Sequence, residues 1–152
     1  MFVFSCSSDL SSNKLQRISS RVFHPLSKLG VLVLSHNQIS RLDEGAFRGL
    51  DNLHQLELGW NEIDANSSGW LQELPRLRNL MLNDNRLNRT DAVDWRRSEF
   101  LEMLDLSSNG IAALERGSLR ELVGLVELSL SQNEIGEIDE GAFVGLSALQ
   151  AL

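Results

Sequence analysis

Asparagine returns every 24 residues along this chain, at Asn13, Asn37, Asn61, Asn85, Asn109 and Asn133, without one slip in phase. Around each runs a common frame, clearest as Leu29-x-x-Leu32-x-Leu34-x-x-Asn37-x-Ile39 and again as Leu125-x-x-Leu128-x-Leu130-x-x-Asn133-x-Ile135. A fixed period of this size means one short unit repeated and stacked, since a unit so small cannot bury its own apolar face alone. The units must pile in register. Whatever each one turns outward then becomes a step in a continuous surface.

Counting Leu29 as position 1, units begin at Ser5, Leu29, Leu53, Leu77, Leu101 and Leu125, and a seventh starts at Leu149. Position 4 reads Ser8, Leu32, Leu56, Leu80, Leu104, Leu128, and position 6 reads Leu10, Leu34, Leu58, Leu82, Leu106, Leu130. Leucines two apart with other residues between them predict a short strand, because side chains change face at every step. One strand per unit, always in the same direction, makes a parallel sheet. The asparagine at position 9 follows the strand, where backbone groups turn toward the core. Its amide offers two donors and an acceptor, so stacked amides form a ladder that spares each coil about 1–3 kcal/mol per buried group left unpaired.

The return limb lacks the two-residue alternation. Position 19 is Phe23, Phe47, Leu71, Trp95, Leu119, Phe143, and both prolines, Pro25 and Pro75, fall on this limb. With so few residues per turn, 3₁₀ or single-turn pieces are expected there. Position 14 is aliphatic in Ile18, Leu42, Leu114 and Ile138 but reads Asn66 and Thr90 in the two middle units. Trp70 and Trp95 offer bulk nearby. Either the convex side is repacked locally, or it carries a site for a sugar or a partner.

This frame is that of the 24-residue extracellular class of leucine-rich repeats, which the chain resembles across residues 5–152. The fold expected is an α/β leucine-rich repeat solenoid. It is a curved arc with a parallel sheet on the concave face, an irregular or 3₁₀ convex face, and six repeats plus the start of a seventh. Residues 1–152 form one domain with no linker. Both ends read as truncated, with Leu128, Leu130 and Phe143 expected to be uncovered at the last unit and position-1 and position-4 leucines replaced by Ser5 and Ser8 at the first.

Constant period also places residues of one position in a row, at a strand spacing of roughly 4.8 Å. Outward rows 3, 5, 7, 8 and 10 can therefore be written from sequence. Their apolar members, Val31, Val33, Trp60, Met81 and Met103, owe nothing to the core and trace a loose diagonal rimmed by Glu57, Asp84, Asp105 and Glu127. Exposed tryptophan is a frequent interface anchor, although valine suits any strand and isolated surface hydrophobes are common.

Charge narrows the partner. The chain carries a net charge of −7. Within the five rows the acids Asp9, Glu57, Glu62, Asp84, Asp105, Glu127 and Glu134 face only Lys14 and Arg86. A basic protein surface is one reading, a merely solvated acidic face the other. Nucleic acid and anionic membrane are disfavoured, because both need a basic face.

Catalytic chemistry finds no purchase. The three histidines, His24, His36 and His54, are scattered, and Trp60 separates His36 from Asp84. No nucleophile elbow or phosphate loop is present, no ligand cluster suggests a metal, and no cofactor is implied. The single cysteine, Cys6, excludes an internal disulfide. The apolar Met1–Phe4 stretch is too short for a secretory signal and lacks a basic start. Two glycosylation sequons occur, Asn66-Ser67-Ser68 and Asn88-Arg89-Thr90.

A narrower likeness lies in the order of variant units. Gly45-Ala-Phe-Arg-Gly-Leu50 is followed by Gly69-Trp-Leu71, then Asp91-Ala-Val-Asp-Trp95 with Phe100, then Gly117-Ser-Leu119. That succession resembles the ectodomain of the leucine-rich repeats and immunoglobulin-like domains family. Ser98 stands where the like unit of that family tends to carry a cysteine. The resemblance implies a cell-surface protein that binds receptors or related surface proteins through such an ectodomain. The function expected is thus a protein-binding module of a secreted or cell-surface protein. An intracellular scaffold for signalling proteins is the alternative.

Overall fold

The period becomes geometry in a computed structural model that describes residues 6–66 and 69–152. The Met1–Phe4 stretch, Ser5 and the two serines of the Asn66 sequon lie outside the described residues. In chain order the strands are β1 (Cys6–Asp9), β2 (Arg17–Ile18), β3 (Leu29–Val33), β4 (Arg41–Leu42), β5 (Gln55–Glu57), β6 (Asn79–Met81), β7 (Met103–Asp105), β8 (Ala113–Leu114), β9 (Glu127–Ser129) and β10 (Glu137–Ile138). Two 3₁₀ segments, Trp70–Glu73 and Thr90–Ala92, flank β6 in sequence. No α-helix occurs among the described residues.

Strands β1, β3, β5, β6, β7 and β9 form one six-stranded parallel sheet in that order. From β3 to β9 its register steps by one repeat, so Leu32, Leu56, Leu80, Leu104 and Leu128 are successive neighbours. All five are at most 3% exposed. Burying each contributes about 1.5–3 kcal/mol relative to leaving it wet. Leu34, Leu58, Leu82 and Leu106 line the same core two residues on. The protein is a solenoid whose sheet is its concave face.

The turn after each strand is closed by the asparagine side chain. Asn61 Nδ2 donates to the carbonyls of Leu34 and Leu58, both at 3.0 Å, and Asn61 Oδ1 accepts the Ile39 N–H at 2.9 Å. Asn37, Asn85, Asn109 and Asn133 repeat the pattern, each bonding its own coil and the one before. Among the described residues Asn13 donates within its own coil, to Leu10 and Ser11.

Three features depart from the sequence reading. The residue before each asparagine is left-handed in every coil: Ser12, His36, Trp60, Asp84, Ser108 and Gln132 have φ between 51° and 56°. Only two of the six, His36 and Asp84, are of a type that favours this conformation, and the leucine pattern is silent about it. Second, the return limb is not free of strands. β2 pairs with β4 and β8 with β10, in two small parallel sheets. They occur where position 14 is aliphatic, with Ile18 beside Leu42 and Leu114 beside Ile138. The middle coils, with Asn66 and Thr90 there, carry the 3₁₀ segments instead. Trp70, wholly buried, meets Phe47 edge-on at 5.6 Å, and Phe47 stacks on Phe23. The Trp95 indole N–H donates to the Thr90 carbonyl at 2.6 Å. Both tryptophans are therefore core, and the convex side is repacked.

Third, Leu128 is not uncovered. Ala151 bridges to Glu127 and leaves Leu128 3% exposed, while Leu130 is partly buried and Phe143 is exposed.

Candidate ligand-binding face

The six-stranded sheet presents its outward residues in the order the register dictates. Glu57, Met81 and Asp105 are neighbours on β5, β6 and β7; Gln55, Asn79, Met103 and Glu127 form the adjacent row. Val31 and Val33 on β3 sit beside Gln55 and Glu57. The apolar diagonal expected from sequence is thus divided. Polar Gln55, Glu57 and Asn79 separate the valines from the methionines, and all four apolar side chains are half-buried.

The structure does bring Met81 and Met103 together. A groove of about 430 Å³ runs over both, with Asp105, Glu127, Ser129 and Ser131 along it. A methionine pair is a polarizable floor that adapts to irregular contacts, and here carboxylates fringe it. Row 7 contributes less surface than expected, since Gly59 and Asn83 are buried. Asn83 covers Gly59 so closely that a Cβ there would lie 2.4 Å from its Oδ1.

Electrostatics sets this face apart. Eight ion pairs occur among the described residues, and of the seven acids in the outward rows only Glu62 takes part, with Arg86 at 3.1 Å. Among the described residues Asp9, Glu57, Asp84, Asp105, Glu127 and Glu134 have no cation. Asp9 accepts the Ser11 N–H at 2.8 Å, and bonds from Ser11 hold its carboxyl below the ordinary range. Asp105 accepts the Ser107 N–H in the same way. Twelve of the chain's fourteen basic residues lie off these rows. Arg17 and Arg41, neighbours across β2 and β4, share Asp43; Arg96 pairs with Asp94. Charge is segregated: the return limb compensates much of its own, the sheet face does not.

Trp60 stands at the rim, half exposed, with its ring stacked on His36 at 4.6 Å and 15°. Row 8 already placed His36 beside Trp60; the ring contact itself is a finding of the structure. It follows from the shared left-handed turn, which sends position-8 side chains out in the same direction. Both sequon asparagines are exposed. Asn66 donates to Asp64 at 2.8 Å, and Thr90 of the second sequon is buried with its hydroxyl donating to Ser118. Among the described residues no cluster of potential metal ligands occurs, and no helix is long and apolar enough to cross a membrane.

Repeated coils, a parallel sheet and the amide ladder meet their counterpart in known proteins. The model of the family described as Leucine rich repeat matches residues 9–63, 27–87 and 99–152. The chain belongs to the leucine rich repeat family. Among solved structures it is similar to the crystal structure of a TLR13–ssRNA13 complex, at 25% identity and a TM-score of 0.67 over 91% of this chain. It spans 23% of the length of that receptor chain. No curated protein matches it. Leucine rich repeat solenoids are protein-interaction scaffolds, so a protein partner is what the fold itself suggests.

Proposed function

We propose that this chain is the ligand-binding segment of a secreted or cell-surface leucine rich repeat protein, forming a single domain across residues 1–152, and that its concave face takes a basic protein surface. The observation that carries the reading is the set of cation-free carboxylates, Glu57, Asp105 and Glu127, fringing the Met81–Met103 groove. A partner bringing lysine or arginine supplies the missing counter-charge, with aliphatic stems on the methionines and heads at the carboxylates. Such complementarity steers encounter and selects the partner more than it raises affinity. Trp60 serves as the rim anchor, and Val31 and Val33 extend the contact toward β1.

Cell-surface placement rests on the resemblance to receptor ectodomains and on two exposed sequon asparagines. Asn66 and Asn88 lie outside the strands of the sheet, so glycans there would leave the concave face open. Receptor regulation is the role that resemblance suggests. Single-stranded RNA is the competing ligand, since the similar TLR13 structure is a complex with ssRNA13. Phosphates approaching this face would meet unpaired carboxylates and few basic side chains, an arrangement that opposes nucleic-acid affinity.

A photo-crosslinking residue at Met81 tests the reading on intact cells. The expected product is a protein adduct lost when Glu57, Asp105 and Glu127 are changed together to Gln, Asn and Gln. Trp60→Ala is expected to weaken binding of the captured protein by about 2 kcal/mol or more. An adduct with RNA, or a protein adduct indifferent to the charge changes, overturns it. Expression through a secretory route should also give a mass shift that endoglycosidase removes; unmodified Asn66 and Asn88 would count against surface placement.

A further inference from the structure

The Trp60 rim holds a more specific arrangement than an exposed aromatic. His36, Trp60 and Asp84 occupy the same position in three successive coils, with φ of 55°, 53° and 52°. They are tied in sequence order by His36 N–H to Gly59 O, Trp60 N–H to Asn83 O, and Asp84 N–H to Ser107 O, each at 3.0 Å. The imidazole covers one face of the indole at 4.6 Å. By the same stacking, the other face of Trp60 looks along the solenoid toward Asp84, and the ring is half exposed.

Asp84 is oriented for whatever enters there. Its Oδ2 accepts from Asn83 Nδ2 at 2.9 Å, and the Asn83 amide lies over Gly59 where no Cβ intervenes. Arg86, two residues on, is held by Glu62 at 3.1 Å, and no ion pair among the described residues reaches Asp84. A bulky aromatic in the left-handed region is disfavoured by local sterics, and such outliers are kept where surrounding structure or function holds them.

We propose that Trp60 and Asp84 form the two walls of a slot for an arginine side chain of a protein partner. A guanidinium is planar, weakly hydrated and always charged, so it can lie on the indole face while its edge donates to the carboxylate. Each Asp84 oxygen retains acceptor capacity beyond the Asn83 bond. An ammonium is a strongly hydrated point charge that cannot cover the ring in the same way. His36 backs the indole and keeps it upright; Gly59 and Asn83 position the carboxylate. The slot rests on the basic-partner reading above and adds arginine over lysine as its preference.

The test titrates three capped tripeptides onto the protein, Gly-Arg-Gly, Gly-Lys-Gly and Gly-citrulline-Gly, and follows the Trp60 indole N–H by NMR. The buried indoles of Trp70 and Trp95 serve as internal references. The arginine peptide should shift Trp60 saturably, the lysine peptide should bind at least fivefold more weakly, and citrulline should leave it unmoved. Asp84→Asn, which suits the left-handed turn and keeps the fold, should weaken the arginine peptide at least fivefold, with unchanged thermal unfolding as the control. Equal binding of arginine and lysine peptides, or indifference to Asp84→Asn, overturns the slot. If those peptides still bind in a way that Glu57→Gln with Asp105→Asn abolishes, the broader acidic-face reading survives. If no cationic peptide binds at all, both fall.

Discussion

Replacing one rung of the amide ladder gives a loss that can be worked out atom by atom. Asn61 is 8% exposed and makes four bonds: Nδ2 to the carbonyls of Leu34, Leu58 and Gly59, and Oδ1 from the Ile39 N–H. In Asn61→Ala the Leu34 carbonyl keeps Asn37 Nδ2 and the Leu58 carbonyl keeps Asn85 Nδ2, each at 3.0 Å. The Ile39 N–H keeps nothing, in a residue with no exposed surface. An orphaned buried donor costs about 1–3 kcal/mol, and loss of the two Nδ2 N–H donors adds about 0.5–1.5 each, so roughly 2–6 kcal/mol is expected. Asn13 provides the control. It is exposed, bonds only Leu10 and Ser11 among the described residues, and shares the Leu10 carbonyl with Asn37. Asn13→Ala should cost less than about 1 kcal/mol. Equilibrium urea unfolding followed by far-ultraviolet circular dichroism measures both, provided the denaturant dependence is unchanged. Equal losses, or a loss under about 1 kcal/mol at Asn61, would refute the claim that cross-coil bonding rather than turn propensity fixes this residue.

Leu104→Ala, which removes volume between Leu80 and Leu128, should destabilise by about 2–5 kcal/mol in the same assay. Gly49→Ala should cost roughly 2 kcal/mol or more, since φ is +94° and the new Cβ would lie 2.7 Å from the His24 carbonyl oxygen; Gly136→Ala, with open space around it, should be near neutral. Trp95→Phe leaves the Thr90 carbonyl unpaired and is expected to lose about 1–3 kcal/mol. Asp43 is held below its ordinary value near 3.8, chiefly by the hydrogen-bonded Arg17 guanidinium. The folded state binds the proton less readily than the unfolded one, so this stability is present above that value and lost as pH falls through the depressed one. Arg17→Gln should therefore flatten the acid limb of a stability–pH profile, and an unaltered limb would contradict that assignment.

Much of this was legible in residue spacing. The 24-residue phase marks the strands, since Leu32, Leu56, Leu80 and Leu104 must share a face if asparagines recur with them. The acidic rows were legible for the same reason. What spacing could not supply was the partner of each side chain. Trp70 and Trp95 read as bulk filling the convex side, with a convex site as the alternative, and the contacts with Phe47 and the Thr90 carbonyl bear out the packing role. The second sheets at Ile18–Leu42 and Leu114–Ile138 were hidden because two residues are too few to show alternation. The 24-residue rows already set Gln55, Glu57 and Asn79 between the valines and the methionines, and the register keeps them there.

Sequence alone determined the stacking, because a strictly periodic apolar pattern has one way to bury itself and periodicity survives without coordinates. It determined the sign of the outward face, since charge is a property of composition by row. Tertiary structure decided the rest. It turned every position-8 residue left-handed, laid His36 on Trp60, and bound Arg86 to Glu62 while leaving Asp84 without a cation. Each of these depends on distances between coils, and a distance across coils is set by packing, which no single repeat encodes.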